Sequence, residues 1–132
     1  MKPKIAISQA DYPDADVERE VFDSIDAEVV VGHAENEAEL IELGRGADAL
    51  LVEYVEVTER VLEALDSVRV VSRYGIGVDN VDIEAATERG VIVTNVPSYC
   101  EEEVATHALS LVLTVARKTA QYTATVKSGI WD

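Results

Sequence analysis

Short apolar runs alternate with helix-forming segments over the first 97 residues, and this alternation constrains the fold more than any other feature. Each run is rich in β-branched residues and is apolar throughout rather than at every second position, which is typical of strands covered on both faces. The pattern therefore predicts an α/β fold, a doubly wound parallel sheet of five strands with right-handed crossovers. The predicted strands are residues 4–8, 27–31, 48–54, 69–73 and 91–94.

The segments between these runs have helical spacing at residues 14–25, 36–43, 58–65 and 82–89. Asn36 is followed by Glu39 at the spacing of a helix N-cap, and Thr58 is the predicted cap of the third segment. In the first segment one helical face carries Val17, Val21 and Ile25, with Phe22 beside it.

The last third of the chain, residues 98–132, reads as a long C-terminal helix. Ser98 and Glu101 have the spacing of a capping box, and the helix is predicted to close at Arg117 and Lys118. So wide an apolar band needs more cover than one small sheet provides, so we expect a second domain or subunit against it. The band has two stripes, Val104, Ala108, Leu111 and Val115 on one, and Ala105, Leu109, Val112 and Ala116 on the other.

The charge balance excludes some partners. Eleven basic and 26 acidic residues give a formal net charge of −15, which repels nucleic acid and anionic membranes. Such a surface favours a halophilic protein over an ordinary acidic one, since concentrated salt screens its self-repulsion. The single cysteine forms no internal disulfide, and the start "MKPKIAIS" lacks the apolar stretch of a signal peptide, so we expect a cytoplasmic protein.

The loop "SRYGIGVDN", residues 72–80, begins like a dinucleotide-binding fingerprint but does not complete one. Asn80 stands where the third glycine is required, and no Gly-Lys-Ser/Thr sequence is present for a P-loop. The loop follows the fourth strand at the carboxyl edge of the sheet, where α/β proteins bind ligands. Its backbone N–H groups suit a small carboxylate. A turn that needs glycine only for its φ angle is the other interpretation.

The stretch "SRYGIGVDNVDIEAATERGVIVTNVPSYCEEEVATHALSLVLTVARK" closely resembles the D-isomer-specific 2-hydroxyacid dehydrogenases, with its R-x-G-x-G-x-D-N-V-D and G-V-x-V-x-N-x-P motifs. The resemblance implies that residues 1–97 form a flavodoxin-like substrate-binding domain and residues 98–132 a linking and dimerisation helix. It implies a Rossmann NAD-binding domain after residue 132. The family's catalytic arginine, glutamate and histidine would lie there too, so we expect no catalytic residue in this chain and no activity from it alone.

Residue by residue, the resemblance implies a site for a small 2-hydroxy or 2-keto acid and the edge of a cofactor site. NAD or NADP would bind the intact enzyme, with no tight binding to this chain, and a homodimer would form through residues 100–118. No cluster of residues has metal-ligand spacing. The substrate-binding residues by resemblance are Tyr54, Val55, Tyr74, Gly75, Ile76 and Cys100, and the cofactor-binding residues are Ile76, Gly77 and Val104.

Two other classes of protein are alternatives to a dehydrogenase. A phosphoacceptor receiver domain has the same element order, but Glu53 stands where its aspartate belongs and "TNVP" lacks its lysine, so this class is set aside. A non-catalytic dimerisation or ligand-sensing module built from the same domain stays open as the alternative.

Overall fold

Five parallel strands form one sheet in the order β2-β1-β3-β4-β5, which confirms the predicted α/β fold. The computed structural model describes residues 2–9 and 11–131. In this order β2 and β5 are the two edge strands. The connection from β2 to β3 crosses β1. The strands are β1 (Lys4–Ser8), β2 (Glu28–Gly32), β3 (Ala49–Val52), β4 (Val70–Arg73) and β5 (Ile92–Thr94).

Helices connect the strands where the sequence pattern placed them. They are α1 (Asp16–Asp23), α2 (Glu37–Leu43), α3 (Glu59–Ala64) and α4 (Ile83–Glu88). Asn36 caps α2 as predicted, its side chain accepting a hydrogen bond from the Glu39 backbone at 3.1 Å. Thr58 stands at the N-cap of α3, but its side chain accepts no capping bond. Its hydroxyl donates to a Glu37 carboxylate oxygen at 2.6 Å.

Alternation along the central strands divides the buried side chains between the two faces of the sheet. Ala6, Leu50 and Val52 contribute to the larger cluster, which includes buried residues of α2, α3 and α4. Ile5 and Ile7 contribute to the smaller cluster, where Phe22 of α1 packs. The alternation of burial along β1 thus follows from the period of two in a strand.

The apolar face predicted for the first helix is largely solvent-exposed. Val17, Val21 and Ile25 are 72%, 59% and 57% exposed, whereas Phe22 is partly buried against the smaller cluster. The helix also ends at Asp23, so Ile25 lies beyond it. Phe22, on the neighbouring helical face, makes the contact with the smaller cluster. The spacing of the valines did not indicate that this face would be the buried one.

The chain divides into two units between Pro97 and Ser98. The second unit holds α5 (Glu101–Ala116) and α6 (Thr119–Lys127). The capping-box prediction was wrong in its register, because the N-cap of α5 is Cys100 and the Ser98 hydroxyl donates to the Glu101 carboxylate instead. The two helices are separated at Lys118, whose left-handed φ of 51° ends the i→i−4 pattern.

The apolar side chains of the second unit are exposed to solvent. Neither α5 nor α6 contains a buried residue. Val104, Leu111 and Val115 are 62%, 54% and 78% exposed. Among the described residues, no helix has the length and apolarity required to cross a membrane.

Candidate functional site

The loop that follows β4 has a backbone that glycine alone accommodates. Gly75 has a φ of +142°, in a region that other residues rarely adopt. An added Cβ would also lie 1.7 Å from the Arg73 Nη1, because the guanidinium folds directly over this glycine. Gly75 is therefore required both for the turn and for the position of the arginine.

Two hydrogen bonds from the segment after β5 hold the loop in place. The Val96 N–H donates to the Gly75 carbonyl at 2.9 Å, and the Asn95 side chain donates to the Ile76 carbonyl at 2.7 Å. Both bonds use carbonyl groups of the loop. Within the described ranges, the backbone N–H groups of Ile76 and Gly77 donate to no protein acceptor. Adjacent free N–H groups of this kind suit an anion.

Arg73 places a positive charge at this loop, a feature that our sequence-based interpretation missed. It is the last residue of β4, and its Nε is buried without a hydrogen-bond partner among the described residues. The signal was present, since the arginine opens the R-x-G-x-G motif itself. A partly buried guanidinium beside free N–H groups strengthens the preference for an anionic ligand.

Tyr74 is anchored at the far side of the same loop. Its ring lies against Tyr12, with centroids 5.6 Å apart, and its hydroxyl donates to the Glu18 carboxylate at 2.9 Å. Burial and this bond raise the Tyr74 pKa well above its usual range. The hydroxyl therefore stays protonated at neutral pH and ties the β4 loop to α1.

Tyr54 follows β3 and is anchored in the same way. Its ring is 60% exposed, and its hydroxyl donates to the Asp11 carboxylate. The bond to Asp11 is the main cause that raises the Tyr54 pKa to about 12, with desolvation and nearby carboxylates adding to it. The exposed ring face is available to a ligand at this edge.

Val55, a predicted substrate-binding residue, lies in the core next to Tyr54. It is 7% exposed and belongs to the larger core cluster. Its carbonyl accepts a hydrogen bond from the Asn80 side chain at 3.0 Å, which joins the loops after β3 and β4. Its side chain therefore supports the edge from inside the core.

The remaining predicted residues belong to the second unit. Cys100 is partly exposed at the start of α5, and Val104, 62% exposed, donates its N–H to the Cys100 carbonyl.

The first unit brings together Tyr54, Tyr74, Gly75, Ile76 and Gly77 at one edge of the sheet. In the part of the chain that the structure describes, no group of three or more His, Cys, Asp or Glu residues has the arrangement of a metal site.

Because of its hydrogen bond to Asp11, the Tyr54 hydroxyl is expected to titrate at a higher pH than an ordinary tyrosine. We expect Tyr54 to titrate near pH 12 and an Asp11→Asn variant to titrate closer to the ordinary value of about 10. Because the pKa is higher in the folded protein, the stabilisation is complete below pH ~10 and is lost as the pH rises through ~12. Tyrosinate absorbance, measured as wild type minus Tyr54→Phe, isolates this residue. Identical titrations of wild type and Asp11→Asn would contradict the bond.

Comparisons with known proteins agree with one another. The family model described as "D-isomer specific 2-hydroxyacid dehydrogenase, catalytic domain" matches residues 5–129. D-3-phosphoglycerate dehydrogenase of Methanocaldococcus jannaschii is 42% identical over 106 residues, which cover 80% of this chain and 20% of that protein. Glyoxylate reductase of Pyrococcus furiosus is 34% identical over 137 aligned positions, which cover 99% of this chain and 39% of that protein.

A solved structure gives the same result in three dimensions. The NAD⁺-bound 3-phosphoglycerate dehydrogenase of Entamoeba histolytica superposes with a TM-score of 0.74 at 25% identity, covering 86% of this chain and 39% of that one. The chain therefore spans between a fifth and two fifths of the length of these proteins.

Proposed function

The chain belongs to the D-isomer specific 2-hydroxyacid dehydrogenases, a family of NAD-dependent enzymes, and we propose that it is the substrate-binding portion of one of them. The reaction is hydride transfer between a nicotinamide cofactor and a small 2-hydroxy or 2-keto acid. In this proposal residues 1–97 bind the substrate and residues 98–132 link them to a cofactor-binding domain.

One observation carries the proposal, the pair of free N–H groups at Ile76 and Gly77. Their carbonyl neighbours are fixed by Asn95 and Val96, so the N–H groups are held in position before any ligand arrives. With Arg73 beside them, they form a preorganised site for the carboxylate that every 2-hydroxy acid carries. The exposed ring of Tyr54 then bounds the space for the rest of the substrate.

The residues of this chain fit only the nicotinamide end of the cofactor. Ile76 is 44% exposed and offers an apolar surface beside the carboxylate site. The sequence contains no G-x-G-x-x-G loop for the pyrophosphate. When bound, the cofactor would accept a hydride from a 2-hydroxy acid or donate one to a 2-keto acid. The residues of this chain would orient the substrate carboxylate.

A ligand titration tests this proposal. We expect pyruvate, glyoxylate or hydroxypyruvate to shift the backbone amide signals of Ile76 and Gly77 in ¹H–¹⁵N NMR spectra at millimolar concentration, because these N–H groups would bind the carboxylate. In the same samples, NAD⁺ or NADH should give no turnover above a buffer blank, because the resemblance implies that the family's catalytic acid and base lie outside this chain.

Two controls make the titration specific. Methyl pyruvate has the same carbon skeleton without the carboxylate charge and should leave both signals in place. Gly46, which precedes β3 at the opposite edge of the sheet, serves as an internal reference. Unchanged Ile76 and Gly77 signals with all three acids would refute substrate binding at this loop. Turnover by the chain alone would refute the proposal that this chain binds the substrate while another domain supplies the catalytic residues.

A further inference from the structure

Three buried polar side chains gather behind the Tyr54 loop. Ser8, Gln9 and Glu53 are 3%, 7% and 5% exposed, and they lie where β1 and β3 end. They line one small cavity, whose volume is about 10 Å³. Its remaining lining residues are His33, Ala34, Tyr54 and Val55.

The side chain of Gln9 has one end satisfied and one end unsatisfied. Its Nε2 donates to the Asp14 carbonyl at 2.7 Å, and since a carbonyl only accepts, this bond sets the orientation of the amide. Its Oε1 is buried and has no hydrogen-bond partner among the described residues. A buried acceptor without a partner is costly, so most such groups in proteins are bound by water or protein donors.

The other polar groups around the cavity have defined roles. The Ser8 Oγ accepts from the Ala34 N–H at 3.0 Å, so its own hydroxyl proton is free to be donated. The Glu53 carboxylate accepts from the Asp11 N–H at 3.1 Å. His33 lies 3.1 Å from the Gln9 carbonyl through Nδ1, so this nitrogen carries the proton and donates it.

We propose that this cavity is a binding site for a single internal water molecule, which donates to the Gln9 Oε1 and to a second group of the cavity wall. The volume matches one water-sized sphere, and the lining offers the two to four polar partners that a buried water requires. The cavity lies between the loop after β1 and the loop after β3. Those loops carry Asp11 and Tyr54, so the water acts as a positioning element for the tyrosine. The proposal does not depend on the proposed function.

A crystal structure of the wild-type protein tests the site. We expect ordered solvent density in the cavity within about 2.7–3.2 Å of the Gln9 Oε1 and of one other polar atom. In Gln9→Met, which keeps the length of the side chain and removes the acceptor, we expect that density to vanish. The Tyr54–Asp11 bond should weaken at the same time, so that the alkaline titration of Tyr54 shifts toward lower pH.

The control is Gln121→Met, at an exposed position of α6, which should leave both the density and the Tyr54 titration unchanged. Two outcomes would overturn the proposal and do not require the variant to fold. One is a wild-type structure in which a protein donor occupies the Gln9 Oε1. The other is a monovalent cation in the cavity, identified by five or more close oxygen ligands or by anomalous scattering after a rubidium soak.

Discussion

Replacing Gly75 by alanine is expected to lower the free energy of unfolding by about 2–4 kcal/mol and to remove the NMR response to 2-keto acids. Two costs add: a φ of +142° strains any residue with a Cβ, and that Cβ would collide with the Arg73 guanidinium. Displacing the guanidinium also disturbs the adjacent N–H groups of Ile76 and Gly77. Urea unfolding measures the first effect.

Comparison with a second glycine, and with an Arg73 variant, separates the backbone strain from the collision with the guanidinium. Gly46 also has a positive φ, +68°, but an added Cβ would meet nothing within 4 Å, so Gly46→Ala should cost only about 1 kcal/mol. In an Arg73→Ala background the cost of Gly75→Ala should fall by about 1–2 kcal/mol, because the collision is removed while the backbone strain remains. Equal costs for Gly75→Ala with and without the arginine would show that the guanidinium does not lie over this glycine in solution.

The homodimer proposed through residues 100–118 should dissociate when charge is placed on α5. Leu111 and Val115 are exposed, and together with Val104 they form an apolar patch of the kind that usually marks an interface. Each such side chain contributes about 1.5–3 kcal/mol when buried. Leu111→Asp with Val115→Asp should therefore raise the dissociation constant at least ~100-fold, since 1.4 kcal/mol is a factor of ten. Sedimentation velocity at tens of micromolar would measure it.

The polar side of α5 provides a charge-matched control. Thr106 and Ser110 are exposed and have the same spacing as the substituted pair, so Thr106→Asp with Ser110→Asp adds equal charge away from the apolar patch. This control should remain dimeric. A monomeric wild-type protein, or equal dissociation of both double variants, would exclude this surface as the interface.

Much of the first unit was predictable because its signals are local. Apolar runs without alternation indicated strands buried on both faces, and β1, β3 and β4 are the three central strands. The Asn36 cap depends on residues three positions apart, so the sequence was sufficient to place it. The cap of α5 was misplaced, because Ser98 and Glu101 interact by side chain alone.

The loop after β4 was also recognisable in the sequence, from its glycines and the motif around them. Its role as a candidate anion site required more. The bonds that hold its carbonyl groups in place come from Asn95 and Val96, about twenty residues later. Arg73 could have been noted from the motif, but its unpartnered buried Nε is a property of packing.

The sequence by itself determined the strands, the parallel sheet and the loop that faces its carboxyl edge, because each of these follows from periodicity or from glycine content within a few residues. Only the tertiary structure decided which loops meet. The hydroxyls of Tyr54 and Tyr74 reach carboxylates 43 and 56 residues away, at Asp11 and Glu18. Strand order and register bring these groups together. The periodicity of a sequence indicates which residues are buried but not which residues they contact. No local pattern could therefore reveal these hydrogen bonds or the unpartnered Oε1 of Gln9.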